Sequence, residues 1–384
     1  MRPTFRHIGL TALCAALVAV SSASSALEGS TPAAKAPAPA SVFLSPNGSD
    51  RNPCTRSAPC LSFDRAYRVA DPGEIVEVAG GEYSRQRLER DDSKRALQDV
   101  VFRPAAGARV RTGNIEVYGS HLEIRSMSVG GWYAKAEAND VTFRNVRTSD
   151  LFVNSAKNIR VIGGSVGPGV NYDSQIGGSP APENILIQGV RFHDWTRTDD
   201  SHVECLQFGS GINVTIRNSR FENCATHDVF VRSWGRGYAL RNWVVENNVF
   251  DTTTDGYYSF KVKGDLNESE CGNFLVRYNS TTQAMHAQDC PGGITYIGNL
   301  GPAQSCYGTF ASNVWYGSGA RRCGGSDRTV GNPRFVDAGA LNLQLQHNSP
   351  AIDRGDAKRF PARDIRGKRR PVGRGPDAGA FENG

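Results

Sequence analysis

The chain has 384 residues, 39% of them hydrophobic and 21% charged, with a formal net charge of +6. That charge is too small to argue for a nucleic-acid partner, and no nucleic-acid-binding motif accompanies it. Beyond the first 26 residues no stretch is apolar enough to read as a membrane span.

Residues 1–26 read as a secretory signal: Arg2 and Arg6 give a basic start, Ile8 to Val20 an apolar run, and Ser24-Ser25-Ala26 a small-residue cleavage site. Cys14 follows Leu13 rather than a small residue, which speaks against a lipoprotein anchor. Residues 27–40 form a Pro/Ala linker with nothing to bury. Export predicts a secreted protein, and the eight cysteines left after processing are an even set that predicts disulfides. Connectivity is not readable from sequence. Pairing of sequence neighbours is the simplest arrangement, with Cys54–Cys60 stapling a short loop. Cys205, inside the strand-like phrase VECLQF, is the weakest member and could be a buried thiol. No C-x-x-C pair is present, so a structural zinc site is not expected.

Residues 41–100 read as an N-terminal cap and first coil. Phe63, Ala66, Tyr67 and Ala70 recur at helical spacing until Asp71-Pro72-Gly73 stops the helix, and EIVEVAGGEY follows as a first strand. Residues 101–330 carry the repeat. Asn184, Asn213 and Asn242, spaced 29 and 29 residues apart, open NILIQGVRF, NVTIRNSRF and NWVVENNVF, which close on Phe192, Phe221 and Phe250. Related phrases begin at His121, Asp140, Asn158, Asn273 and Gly293, giving about eight copies. Each alternates apolar and polar residues, as in a half-buried strand. One copy cannot bury its apolar face alone, whereas stacked copies bury a continuous core. The fold class is therefore all-β: a right-handed parallel β-helix with a short N-terminal capping helix and an irregular C-terminal cap at 331–384. Asn at one phase predicts an amide ladder, and Phe at one phase an aromatic stack. The positive charge gathers at Lys358 to Arg374, within the C-terminal cap.

SVFLSPNGSDRNPC and APCLSFDRAYRVADPGEIVEVAGGEY resemble the start of secreted bacterial β-helix proteins of the pectate-lyase-like superfamily, with Glu74 in place of the usual Asp. NPRFVDAGALNLQLQHNSPAIDRGD and DIRGKRRPVGRGPDAGAFE resemble their tail, where Arg370 is expected to pair with Asp377 or Glu382. The resemblance implies the fold. It is weak for activity, because that group holds lyases, hydrolases, epimerases and non-enzymatic surface proteins.

Polar residues concentrate in the central coils. Asp199, Asp200, His227, Arg232, Lys261 and Lys263 are the candidate catalytic set, and Asp173, His202, Glu204, Asp228, Trp234 and Tyr257 the candidate substrate-binding set. Arg232 and Lys261, 29 residues apart, are expected to stack as neighbours, and His227 and Lys261 to be exposed. Two chemistries fit a polysaccharide partner. In elimination on a uronic-acid polymer, a Lys of lowered pKa removes the proton alpha to the carboxylate and Arg or a second Lys neutralises the charge. Calcium on Asp199, Asp200, Glu204 or Asp228 is one way of sharing that role. In hydrolysis, two carboxyls divide the work. For this, Asn171-Tyr172-Asp173, Asp199-Asp200, His227 and Lys261-Val262-Lys263 resemble the order of polygalacturonase motifs. The departures are that Thr226 and Asp228, not glycines, flank His227, and that Lys261 stands where that family has Arg. Trp132, Tyr133, Trp195, Trp234, Tyr257 and Tyr258 are candidate sugar-stacking aromatics. A monomer is expected, and a non-catalytic wall-binding protein is the other functional class the repeat allows.

Overall fold

A computed structural model describes residues 39–94, 98–251, 257–264, 270–302 and 305–383. The signal segment, Cys14 and nearly all of the linker lie outside the described residues. Among the described residues no helix is long and apolar enough to cross a membrane.

Every repeat phrase forms a strand, and strands of successive coils pair in parallel. One sheet collects 12 of them, from Val42–Leu44 to Thr309–Ala311. The eight phrases supply its middle. Val42–Leu44, Ile75–Val78, Val100–Pro104 and Thr309–Ala311 complete it without the repeat signature. Register carries one buried column through the sheet: Ile159, Ile185, Val214, Trp243, Phe274 and Ile294 stand opposite one another in turn, each no more than 2% exposed. The chain returns between these strands through a second parallel surface, which closes the coils around a shared core. Parallel strands joined by crossovers coil right-handed, because twisted strands pack back only that way. The fold is a right-handed parallel β-helix.

Two side-chain stacks reinforce the register. Phe192, Phe221 and Phe250 are buried, with ring centroids 4.6 and 5.0 Å apart. Asn158, Asn184, Asn213, Asn242 and Asn273 adopt positive φ of 55 to 60°, a region that Asn tolerates better than most residues. Each donates its amide to the Asn one coil earlier, at 2.8 to 3.0 Å. This exposed ladder is the one the repeat implies. A second ladder is buried: Asn248, Asn279, Asn299 and Asn313 bond in series and end on Asp327. Each amide also donates to a backbone carbonyl at the turn, as Asn279 does to Val245 at 2.9 Å. These side chains satisfy polar backbone that the corner buries.

The ends are blocked differently. At the N-terminal end the helix Phe63–Val69 starts on Ser62, whose hydroxyl accepts from the Arg65 N–H, and lays Phe63 against Phe102 at 5.1 Å. The C-terminal tail lies along the flank of several coils, rather than only across the last strand. Asn247 donates to the Arg363 carbonyl, Ala380 N–H to Ser280 and Gly379 N–H to the Gly298 carbonyl. Buried Arg370 pins it through Glu382 at 3.8 Å, the Asp377 and Gly379 carbonyls and the Tyr278 ring. Disulfides join Cys54–Cys60, Cys205–Cys224, Cys271–Cys290 and Cys306–Cys323. All are sequence neighbours. Cys205 is paired, so it is not a free thiol.

Candidate functional site

The site lies where the strands Gln175–Gly177, Leu206–Phe208, Val229–Arg232, Phe260–Lys263 and Met285–Gln288 pair side by side. Alternation sends Ile176, Phe208, Val231, Val262 and Ala287 inward. Gln175, Gln207, Phe230, Lys261 and His286 form the outward column beside them, and Arg232, Lys263 and Gln288 the next outward column. Arg232 therefore stands beside Lys263, and Lys261 beside Phe230. The expected Arg232–Lys261 stack is wrong by two positions. The Asn ladder steps by 29 residues from Asn213 to Asn242, but this surface steps by 31 from Phe230 to Lys261, because the intervening loops differ in length.

Just before these strands, three loops converge on Glu204, which is wholly buried. Its backbone N–H donates to the Asp173 carboxyl at 2.7 Å, which brings the two carboxyls close enough for the charge of Glu204 to act on Asp173. Thr226 donates to Glu204 at 3.2 Å, and His202 meets it through Nδ1. Burial pushes both carboxyls up, Asp173 to about 7. Two buried like charges so close repel, so near neutrality the pair keeps a proton.

His227 is 2% exposed, contrary to the expected exposure. The Tyr258 backbone N–H donates to its Nδ1 at 2.9 Å. That bond needs a lone pair on Nδ1, so the ring proton sits on Nε2. Burial holds the imidazole far down, to about 3, so it stays neutral. Its Nε2 is buried and has no hydrogen-bond partner among the described residues. His202 and Tyr257 stand 5.4 Å away, ring to ring. The result is a neutral N–H donor walled by aromatics. Lys261, half-buried, holds its ammonium 5.2 Å from the Phe230 ring and 5.1 Å from the Tyr258 ring. Burial lowers its pKa, with Lys263 and Arg232 adding to the effect and Glu204 opposing it.

His202, Glu204 and His227 bring ligand atoms within 4.8 Å of one another and are the one such trio among the described residues. They do not fit calcium, which takes six to eight oxygens. Two of the three are imidazoles, and His227 carries N–H rather than a lone pair on Nε2. Nor do the expected calcium acids assemble. Asp199 and Asp200 are exposed, and Asp199 accepts from the Ser201 N–H at 2.9 Å in a tight local turn. Asp228 is buried on the coil beneath.

Of the remaining candidates, Arg232 and Trp234 are exposed, and Lys263 and Tyr257 half-buried. Trp132 and Trp195 are 1% exposed and belong to the core, so they are not sugar platforms. Their neighbours explain this: Trp132 stacks on Phe143 at 4.0 Å, and the Trp195 indole donates to the Tyr172 carbonyl. Sequence reasoning missed Tyr258 as the group that fixes the His227 tautomer. It acts through its backbone, and no residue pattern marks that. Phe230 and Gln207 were within reach of a correct register.

No family model matches the chain, and no curated protein matches it by sequence. Among solved structures, pectate lyase Pel9A superposes with a TM-score of 0.53 at 13% identity, covering 89% of this chain and 96% of that one. XylC, determined in complex with xylose, superposes at 0.50 with 8% identity, covering 88% and 98%. A rhamnogalacturonan lyase reaches 0.47 at 14% identity, covering 88% and 96%. Likeness to the first two, at such identities, speaks to architecture alone, and it agrees with the strand order: the chain has a right-handed parallel β-helix fold.

Proposed function

We propose that this protein cleaves an acidic polysaccharide by elimination, with Lys261 as the base. The observation that carries the reading is the setting of Lys261. It is an outward lysine of lowered pKa, next to Lys263 and Arg232 and close to a carboxyl pair that retains a proton. Likeness to a pectate lyase supports the same reading.

Uronate elimination needs three things, and each has a candidate here. Lys261 accepts the C5 proton as the amine, and a lowered pKa raises the fraction present in that form. Arg232 and Lys263 face the carboxylate on which charge builds. The electron pair forms the C4–C5 double bond as the C4–oxygen bond breaks. The Asp173–Glu204 pair supplies a proton to the departing oxygen.

Hydrolysis fits less well. Its two carboxyls flank the scissile bond at about 5–9.5 Å, whereas Asp173 is tied to the Glu204 backbone, both are buried, and the Asp199-Asp200 pair is an exposed turn. This weakens the polygalacturonase comparison. We further propose that the protein works outside the cell as a monomer, in keeping with the signal segment and four disulfides.

The test is incubation of the protein with polygalacturonate, alginate and neutral glycans. Both the ultraviolet absorbance of unsaturated uronate and the reducing ends are read. Absorbance from an acidic polymer, lost in Lys261→Ala, is the expected result. Reducing ends without absorbance would replace elimination by hydrolysis. Retention of polymer without products would make the wall-binding class the better reading.

A further inference from the structure

Four of the five tryptophans are sealed in the core: Trp132, Trp195, Trp243 and Trp315 are each 1% exposed. Trp234 is 43% exposed, and the sheet beneath is shaped to receive it. Its indole lies across Gly209 and Gly177. A Cβ on Gly209 would sit 2.0 Å from the ring, and one on Gly177 2.6 Å. These glycines stand one position past the paired Ile176 and Phe208, so they occupy adjacent coils at the same phase. The loop is also closed on itself. The Trp234 N–H donates to the Gly209 carbonyl at 3.2 Å, and the Ser233 hydroxyl accepts from the Gly235 N–H at 3.3 Å. Two side-chain-free positions and a tied loop thus hold a large apolar ring flat against the surface while leaving much of it wet.

The indole forms one wall of a groove of about 310 Å³. The floor is aromatic. Tyr133 and Phe152 are paired neighbours in the ladder, with rings 5.2 Å apart and 9° from parallel. Lys135 lies over Tyr133 at 5.2 Å, and Asn154 and Gln175 add polar groups at the rim. Flat apolar rings edged by amides and an ammonium match a pyranose ring, whose C–H face stacks on aromatics while its hydroxyls take hydrogen bonds. The groove is continuous with the site described above. Tyr133, Phe152, Gln175, Gln207, Phe230 and Lys261 are successive members of one outward column. From Phe152 to Lys261 is four strand spacings, about 19 Å, or several sugar units.

We infer that the Trp234–Phe152–Tyr133 groove is a distal sugar-binding subsite. It takes an uncleaved unit of the same acidic glycan, whose chain runs along the coil axis to Lys261. The inference rests on the proposed function for the identity of the glycan, but not for the existence of the subsite. It predicts a length threshold: oligomers too short to reach from Lys261 to Trp234 do not feel the indole.

The test uses the full chain carrying Lys261→Ala, so that substrate stays intact, and reads acrylamide quenching of tryptophan fluorescence. Because the other four indoles are buried, quenching reports Trp234. A long oligogalacturonate should protect the fluorescence and a digalacturonate should not. Adding Trp234→Ala should weaken binding of the long oligomer roughly tenfold, measured by calorimetry, with Trp234→Phe recovering part of the loss. Unchanged circular dichroism controls for folding. Equal affinity with and without Trp234, or long-oligomer binding that leaves quenching unchanged, would overturn the subsite. Protection by a neutral oligosaccharide alone would keep the subsite and overturn the acidic-glycan reading. Binding of no oligosaccharide would overturn both.

Discussion

Replacing Asp173 with Asn should stabilise the protein in alkali and do little in acid. In the native state burial holds the Asp173 proton to about pH 7, against an ordinary value of 3.8. Between those values the native state binds more protons than the unfolded chain, so this group's stabilisation is complete below 3.8 and is lost as pH rises through about 7. The whole shift of about three units corresponds to about 4 kcal/mol. Glu204 is raised too and shares the proton, so about 2 kcal/mol is the working figure for one side chain. Asn keeps the observed contact, since its carbonyl accepts the Glu204 N–H as the carboxyl does. Urea unfolding of wild type and Asp173→Asn at about pH 4, 6 and 8 isolates this residue from Asp251 and Asp377, whose pKa values are also raised. The variant should gain on wild type steadily as pH rises. A constant difference, or a variant weaker than wild type at about pH 8, would refute the shared-proton reasoning.

Phe221→Ala removes the middle ring of the aromatic stack and should cost about 3–5 kcal/mol by urea titration. Asn279→Ala leaves the Val245 carbonyl and the Asn248 N–H without their partner inside the core. A loss of about 2–6 kcal/mol, measured the same way, follows from about 1–3 kcal/mol for each orphaned group. Arg370→Met strands Glu382 in the cap, with an expected loss of about 3–5 kcal/mol and earlier proteolysis of the tail. Peptide mapping without reduction should recover the four sequence-neighbour disulfides, and any peptide carrying free Cys205 would contradict the Cys205–Cys224 pair.

The solenoid was legible because its physics is periodic. Asn184, Asn213 and Asn242 repeat at one spacing since each must enter the left-handed region and bond to the coil before it. Phe192, Phe221 and Phe250 repeat because each fills the same core position. The buried Asn248–Asn279–Asn299–Asn313 ladder was less visible, since its spacing contracts from 31 to 20 to 14 residues as the coils shorten. The site was legible only as a region. Asp173, His202, Glu204, His227 and Lys261 do converge, but the phase carried over from the Asn ladder misplaced Arg232, because loops of different length intervene between the two surfaces. Asp199-Asp200 reads as a catalytic pair in the sequence, and in the structure it forms an exposed turn that Ser201 closes on Asp199. Composition cannot separate those cases, since the difference lies in whether the following Ser201 closes back on the carboxylate. The inward turn of Trp132 and Trp195 likewise depends on strand pairing that no local pattern reveals.

The central claim is that the Lys261 centre breaks an acidic glycan by elimination, and the mass of the products tests it most directly. Mass spectrometry of oligogalacturonate digested in water labelled with heavy oxygen should show the fragment that keeps the substrate's reducing end lighter by one water than its hydrolytic counterpart, with no heavy oxygen incorporated at cleavage, and no such fragment should appear with Lys261→Ala. Full-mass fragments carrying one heavy oxygen, or cleavage undiminished in Lys261→Ala, would contradict it.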